Sequence, residues 1–138
     1  MKTFSISDIG KRREMNQDYM YTSENAVGNL PNLFIVADGM GGHKAGEYAS
    51  RYTVESIVES IEKDERTEPV EVIEHAICKA NEELIKKAAG DEAMSGMGTT
   101  VVVVTVIGEK AWVANVGDSR MYVVGKEIKQ VTRDHSLV

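Results

Sequence analysis

Four side chains stand where the chain could make them chemically useful: Arg13, Asp18, Asp38 and Asp118. Asp38 follows an apolar run, Leu33-Phe34-Ile35-Val36-Ala37, and precedes Gly39-Met40-Gly41-Gly42-His43. A carboxylate at the end of a strand is held by rigid backbone, and the glycines leave space around it. Hard cations such as Mg²⁺ or Mn²⁺ take oxygen ligands and keep several waters, so one carboxylate beside a bare glycine carbonyl suits them. The same segment also reads as a glycine-rich turn whose aspartate caps a helix. Gly117-Asp118-Ser119-Arg120 either brings another carboxylate to a sheet end or makes an ordinary hairpin turn. Arg13 offers a rigid fork for phosphate oxygens, with Asp18 nearby as a further hard ligand. Equally, Lys11-Arg12-Arg13 reads as a solvated basic loop.

Other chemistries fail on spacing. Gly41 and Gly46 have the separation of a P-loop, but Glu47 stands where its lysine is needed. Gly39 and Gly41 start a dinucleotide fingerprint, but Lys44 occupies the third glycine position. Asp134-His135-Ser136 contains the residue types of a catalytic triad, yet adjacent residues cannot form one, and the segment reads as a turn. His75 reads as a surface residue, and Cys78 as an inert core or near-core thiol on a helix.

The elements that must hold these residues follow from periodicity. Phe4-Ser5-Ile6-Ser7 alternates as a short strand, and Tyr19 to Thr22 suggests another. Leu33 to Ala37 is a buried strand by its β-branched and aromatic content, stopping at Asp38. From Ala45 the period becomes helical, with Ala49, Tyr52, Val54, Ile57, Val58 and Ile61 on one face through about Glu62. Pro69 opens a second amphipathic helix through Ile73, Ala76, Ile77, Ala80, Leu84 and Ala88, ending before Gly90. The last third is a set of β-branched runs, Thr99–Ile107, Ala111–Val116, Arg120–Val124 and Ile128–Val131, joined by short turns. Such turns make antiparallel hairpins. The order predicts an α+β fold with both helices stacked on one sheet.

The chain has 138 residues and a net charge of −6, from 16 Lys and Arg against 22 Asp and Glu. That length suits one domain by the usual range of about 100–200 residues. The acidic balance argues against nucleic acid as a partner, whose affinity comes mostly from basic side chains on phosphates. The single cysteine excludes an internal disulfide and suits a reducing compartment. With no apolar signal core and no run long enough for a bilayer, a cytoplasmic protein without membrane association is expected.

Five segments together form a more specific pattern. They are Gly10-x-x-Arg13-x-x-Asn16-Gln17-Asp18, Val36-Ala37-Asp38-Gly39-Met40-Gly41-Gly42-His43-x-Ala45-Gly46-Glu47, Gly98-Thr99-Thr100, Ala114-Asn115-Val116-Gly117-Asp118-Ser119-Arg120 and Thr132-Arg133-Asp134-His135-Ser136. In this order they resemble the metal-dependent protein phosphatases of the protein phosphatase 2C (PPM) type, in their bacterial form. The resemblance implies an antiparallel β-sandwich flanked by helices. It also implies hydrolysis of phosphoserine or phosphothreonine in proteins by a metal-activated water, with two or three Mn²⁺ or Mg²⁺ ions in a complete domain.

By the same resemblance Asp38 bridges two ions, the Gly39 carbonyl is a further ligand, Asp18 supports the same cluster, and Asp118 holds an additional metal. Arg13 orients the substrate phosphate. Gln17 stands where many members have Glu, and Met40 where eukaryotic members carry a histidine suggested as general acid; His43 is not at that position. Phosphoproteins, and a Ser/Thr kinase acting on the same targets, are the implied partners.

Family members continue beyond the Asp-His-Ser segment with further strands, two helices and two more metal-binding aspartates. Residues 1–138 are therefore read as the N-terminal part of a single domain, incomplete at the C-terminus, with little or no activity alone. A non-catalytic phosphatase-like binding module is the alternative.

Overall fold

Period-two burial builds the main sheet. In β2 (Leu33–Met40), Leu33, Ile35, Ala37 and Gly39 are buried while Val36, Asp38 and Met40 are exposed. The computed structural model describes residues 1–42 and 44–135. β1 (Asp18–Ser23) pairs with β2, which pairs in turn with β4 (Val101–Ile107), and β4 with β5 (Lys110–Val116), all antiparallel. The short β3 (Gly98–Thr99) extends the ladder against Gly39 and Met40.

Two helices cover the face that Leu33, Ile35 and Ala37 present. In α1 (Ala45–Lys63), Val54, Ile57 and Ile61 are buried at helical spacing. Val72, Ile73, Ala76 and Ala80 do the same in α2 (Pro69–Gly90). These side chains form one core with Val101 and Val103 of β4. Complete burial of each Ile, Leu or Val stabilises the fold by about 1.5–3 kcal/mol before entropy is charged. Pro69 takes the first turn of α2, where a missing N–H costs nothing. Buried Asn32 fixes where β2 meets β4: its Oδ1 accepts from the Val106 N–H at 2.8 Å, and its Nδ2 donates to the Val106 carbonyl at 2.8 Å.

The expected α+β class, the antiparallel pairing and both stacked helices are present. Four local expectations change. Residues 4–7 form no strand: Phe4 is 86% and Ile6 73% exposed, and four alternating residues with no ladder partner cannot hold an extended conformation. β2 does not stop at Asp38, because β1 and β3 supply pairing partners through Met40. The terminal hairpin of β6 (Tyr122–Val124) and β7 (Ile128–Gln130) pairs, among the described residues, only with itself rather than extending the main sheet. Cys78 is exposed rather than in the core, because it lies two residues, about 200° of helical rotation, beyond buried Ala76.

Candidate metal and phosphate site

The β1–β2 register sets Asp18 directly opposite Asp38. Facing residues of an antiparallel pair project from the same side of the sheet with Cβ atoms about 4.5–5.5 Å apart. Both aspartates lie on the face away from the helices, and both are exposed. Asp38 is nonetheless pushed above the usual carboxylate range. Partial desolvation is the largest cause, followed by the charge and hydrogen-bonding influence of Asp18; Arg13 opposes the shift, and Asp118 adds a last increase.

Of the residues singled out from sequence, Asp18 and Asp38 face each other across the strands, and the charges of Arg13 and Asp118 reach Asp38. Two carboxylates facing each other across the strands, one with its pKa raised partly by the other's charge, would gain from a cation between them. Their oxygen-only chemistry fits Mg²⁺ or Mn²⁺. Among the described residues, no three His, Cys, Asp or Glu side chains come together closely enough to hold an ion. The facing pair Asp18 and Asp38 is the candidate site, and Asp118 influences Asp38 only weakly through its charge. Asp38 does not cap the following helix, since Lys44 precedes α1 and no side chain caps it.

Gly39 allows the close approach on which this geometry depends. Its N–H donates to the Gln17 carbonyl at 2.9 Å, joining the entry of β1 to the exit of β2. A Cβ on Gly39 would lie 1.7 Å from the Gly46 carbonyl oxygen in the first turn of α1. A Cβ on Gly46 would lie 2.5 Å from Gln17 Nε2. Strand end, helix start and the approach to Asp18 are packed backbone to backbone. His43, left without a role by its position in the sequence, lies outside the described residues, as does Ser136.

The Asp118 loop is fastened by the segment read from sequence only as a turn. The His135 N–H donates to the Gly117 carbonyl at 2.8 Å, and the Gly117 N–H donates to His135 Nδ1 at 3.3 Å. Arg120 grips Asp134 with two prongs, Nε to Oδ1 at 3.0 Å and Nη2 to Oδ2 at 2.6 Å. That guanidinium holds Asp134 below its ordinary pKa, while Arg120 is itself raised. Asn115 Nδ2 donates to the Arg133 carbonyl at 3.0 Å. The opposite charges of Arg120 and Asp134 were the only sequence signal of this fastening. Thr100 and Ser119, whose hydroxyls meet beside Asp38, gave no signal beyond lying in quoted segments.

Comparison with known proteins matches both the sequence and the fold to a family. A sequence profile described as Protein phosphatase 2C matches residues 10–136, and the chain belongs to that family. Protein phosphatase PhpP of Streptococcus pneumoniae is 38% identical over 142 residues, covering 100% of this chain and 56% of the relative. Serine/threonine phosphatase stp of Listeria monocytogenes is 37% identical over 137 residues, covering 96% of this chain and 54% of the relative. The solved serine/threonine phosphatase Stp1 of Staphylococcus aureus superimposes with a TM-score of 0.84 at 34% identity, over 95% of this chain and 52% of that one. The chain thus spans about half the length of the relatives it matches.

Proposed function

We propose that this chain serves the metal-dependent hydrolysis of phosphoserine and phosphothreonine in proteins, as the N-terminal portion of a single phosphatase domain. The observation that carries the reading is the opposition of Asp18 and Asp38 across β1 and β2, which concentrates negative charge where a hard cation would relieve it. In this reading Asp18, Asp38 and the Gly39 carbonyl hold Mn²⁺ or Mg²⁺, with Asp118 holding a further ion. Divalent cations bound there would supply charge neutralisation for a phosphomonoester and acidify a water for attack.

The chain's own residues do the rest. Arg13 lies within electrostatic reach of Asp38, and its guanidinium orients the phosphate by charge-assisted hydrogen bonds. The backbone packing at Gly39 keeps the pair from spreading under its own repulsion. No cysteine or serine nucleophile is required, and Cys78 on the outer side of α2 takes no part. The substrates are phosphoproteins modified by a Ser/Thr kinase, and the single free thiol suits a reducing, cytoplasmic setting.

The test is uptake of Mn²⁺ by the chain, followed through the electron paramagnetic resonance signal of the free ion. Asp38→Asn should weaken uptake by about tenfold or more, the usual scale for damage to a metal site. Uptake indifferent to that substitution would refute the assignment. With a phosphothreonine peptide and saturating Mn²⁺, the chain alone should release little or no phosphate, because Asp18, Asp38 and Asp118 alone leave the ions under-liganded. Rapid, Asp38-dependent turnover would show that the residues present suffice.

A further inference from the structure

The geometry points to Thr100 as a positioning residue, whose hydroxyl ties the backbone of Asp38 to the loop carrying Asp118 and so sets the third carboxylate against the first two. The inference rests on the metal site proposed above for its purpose, though not for its geometry.

Thr100 occupies the single-residue gap between β3 and β4 and is 4% exposed. It holds Asp38 on both sides of its Cα. The Thr100 N–H donates to the Asp38 carbonyl at 2.9 Å, and the Asp38 N–H donates to Thr100 Oγ1 at 3.0 Å. A hydroxyl that accepts one bond keeps one proton and one lone pair. Ser119 Oγ, 2.5 Å away, engages that remaining capacity. Ser119 adjoins Asp118, so one side chain links the backbone of Asp38 to the neighbour of Asp118.

The methyl of Thr100 fixes the same loop by shape. A Cβ on Gly117 would lie 2.6 Å from Thr100 Cγ2, and Gly117 adopts φ +97°, a conformation that favours glycine. Hydroxyl and methyl therefore have separable duties. Valine in place of Thr100 keeps the shape and leaves the Asp38 N–H without its partner. Serine keeps the hydrogen bonds and loses only the methyl contact.

The experiment compares the full chain with Thr100→Val, Thr100→Ser and Ser119→Ala by two readouts, after circular dichroism has confirmed folding. Amide hydrogen exchange at Asp38 is read on metal-free protein, and Mn²⁺ affinity is read separately. Thr100→Val should accelerate exchange at Asp38 and weaken Mn²⁺ binding about tenfold, as loss of a group that orients ligands does. Thr100→Ser should restore the affinity to within about twofold, since it keeps both hydrogen bonds. Ser119→Ala should also disturb the Asp38 amide, and its effect on Mn²⁺ should vanish when added to Thr100→Val.

The inference is overturned if folded Thr100→Val binds Mn²⁺ like the parent chain, or if Thr100→Ser binds as weakly as Thr100→Val. Should Thr100→Val not fold, Ser119→Ala decides: an unchanged Asp38 amide overturns the link. Mn²⁺ uptake insensitive to Asp38→Asn would defeat the proposed function instead, and the exchange readout would still decide whether Thr100 joins the two segments.

Discussion

Asp18 and Asp38 repel each other wherever no cation lies between them, so their stability and binding effects have opposite signs. Removing one charge with Asp18→Asn should stabilise the metal-free chain by a few tenths of a kcal/mol to about 1 kcal/mol, the scale of a like-charge pair across strands. Solvent screening of these exposed groups favours the lower end. The same substitution should weaken Mn²⁺ binding. A higher melting temperature joined to lower Mn²⁺ affinity is the expected result, and a lower melting temperature would show that Asp18 contributes to folding instead. Sequence reached this pair only in part. The residue types and the glycines around Asp38 pointed to a hard-cation site, but opposition of Asp18 and Asp38 is a matter of register. Register depends on where β1 meets β2, and it brings together Asp18 and Asp38, twenty residues apart in the chain.

At the scale of elements, the site depends on two joints with little tolerance. The first is β2 against the start of α1. Gly39→Ala would force its methyl into the Gly46 carbonyl, and we expect a loss of about 3 kcal/mol or more, as overpacking costs at the upper end of its range. Gly90→Ala is the control: its Cβ meets nothing within 4 Å at the end of α2, so thermal unfolding should show no loss. The second joint is the Arg120–Asp134 fork that fastens the Asp118 loop to residues 132–135. Asp134 has a depressed pKa when folded, so its contribution is present above the ordinary carboxylate value near 3.9 and is lost as pH falls through the lowered one. The amide resonances of Gly117 and His135 should therefore shift together below about pH 4. Asp134→Asn should already show the loosened state at neutral pH; if those resonances match the parent chain there, the fork does not hold the loop.

The helices were legible at this scale because nineteen and twenty-two residues of 3.6-residue periodicity leave little ambiguity. Phe4–Ser7 misled because alternation over four residues carries no information about a pairing partner. The β6–β7 hairpin misled because turn signals locate a hairpin without saying which sheet it joins.

For the whole molecule, the −6 charge and the paired carboxylates make cations stabilising in two separable ways. Any salt screens the general excess of negative charge, and this effect depends on ionic strength alone. Binding at Asp18 and Asp38 adds a linkage term set by the ratio of ion concentration to its dissociation constant, about 1.4 kcal/mol at tenfold excess. For a domain of this size that corresponds to a rise in melting temperature of roughly 3–5 °C. Thermal unfolding in Mn²⁺ should therefore exceed unfolding in NaCl of equal ionic strength by about that amount. The excess should disappear in Asp38→Asn, whereas the response to NaCl should persist. Equal shifts in both salts would mean that the whole-molecule charge, and not the pair built by β1 and β2, is what the cation reads.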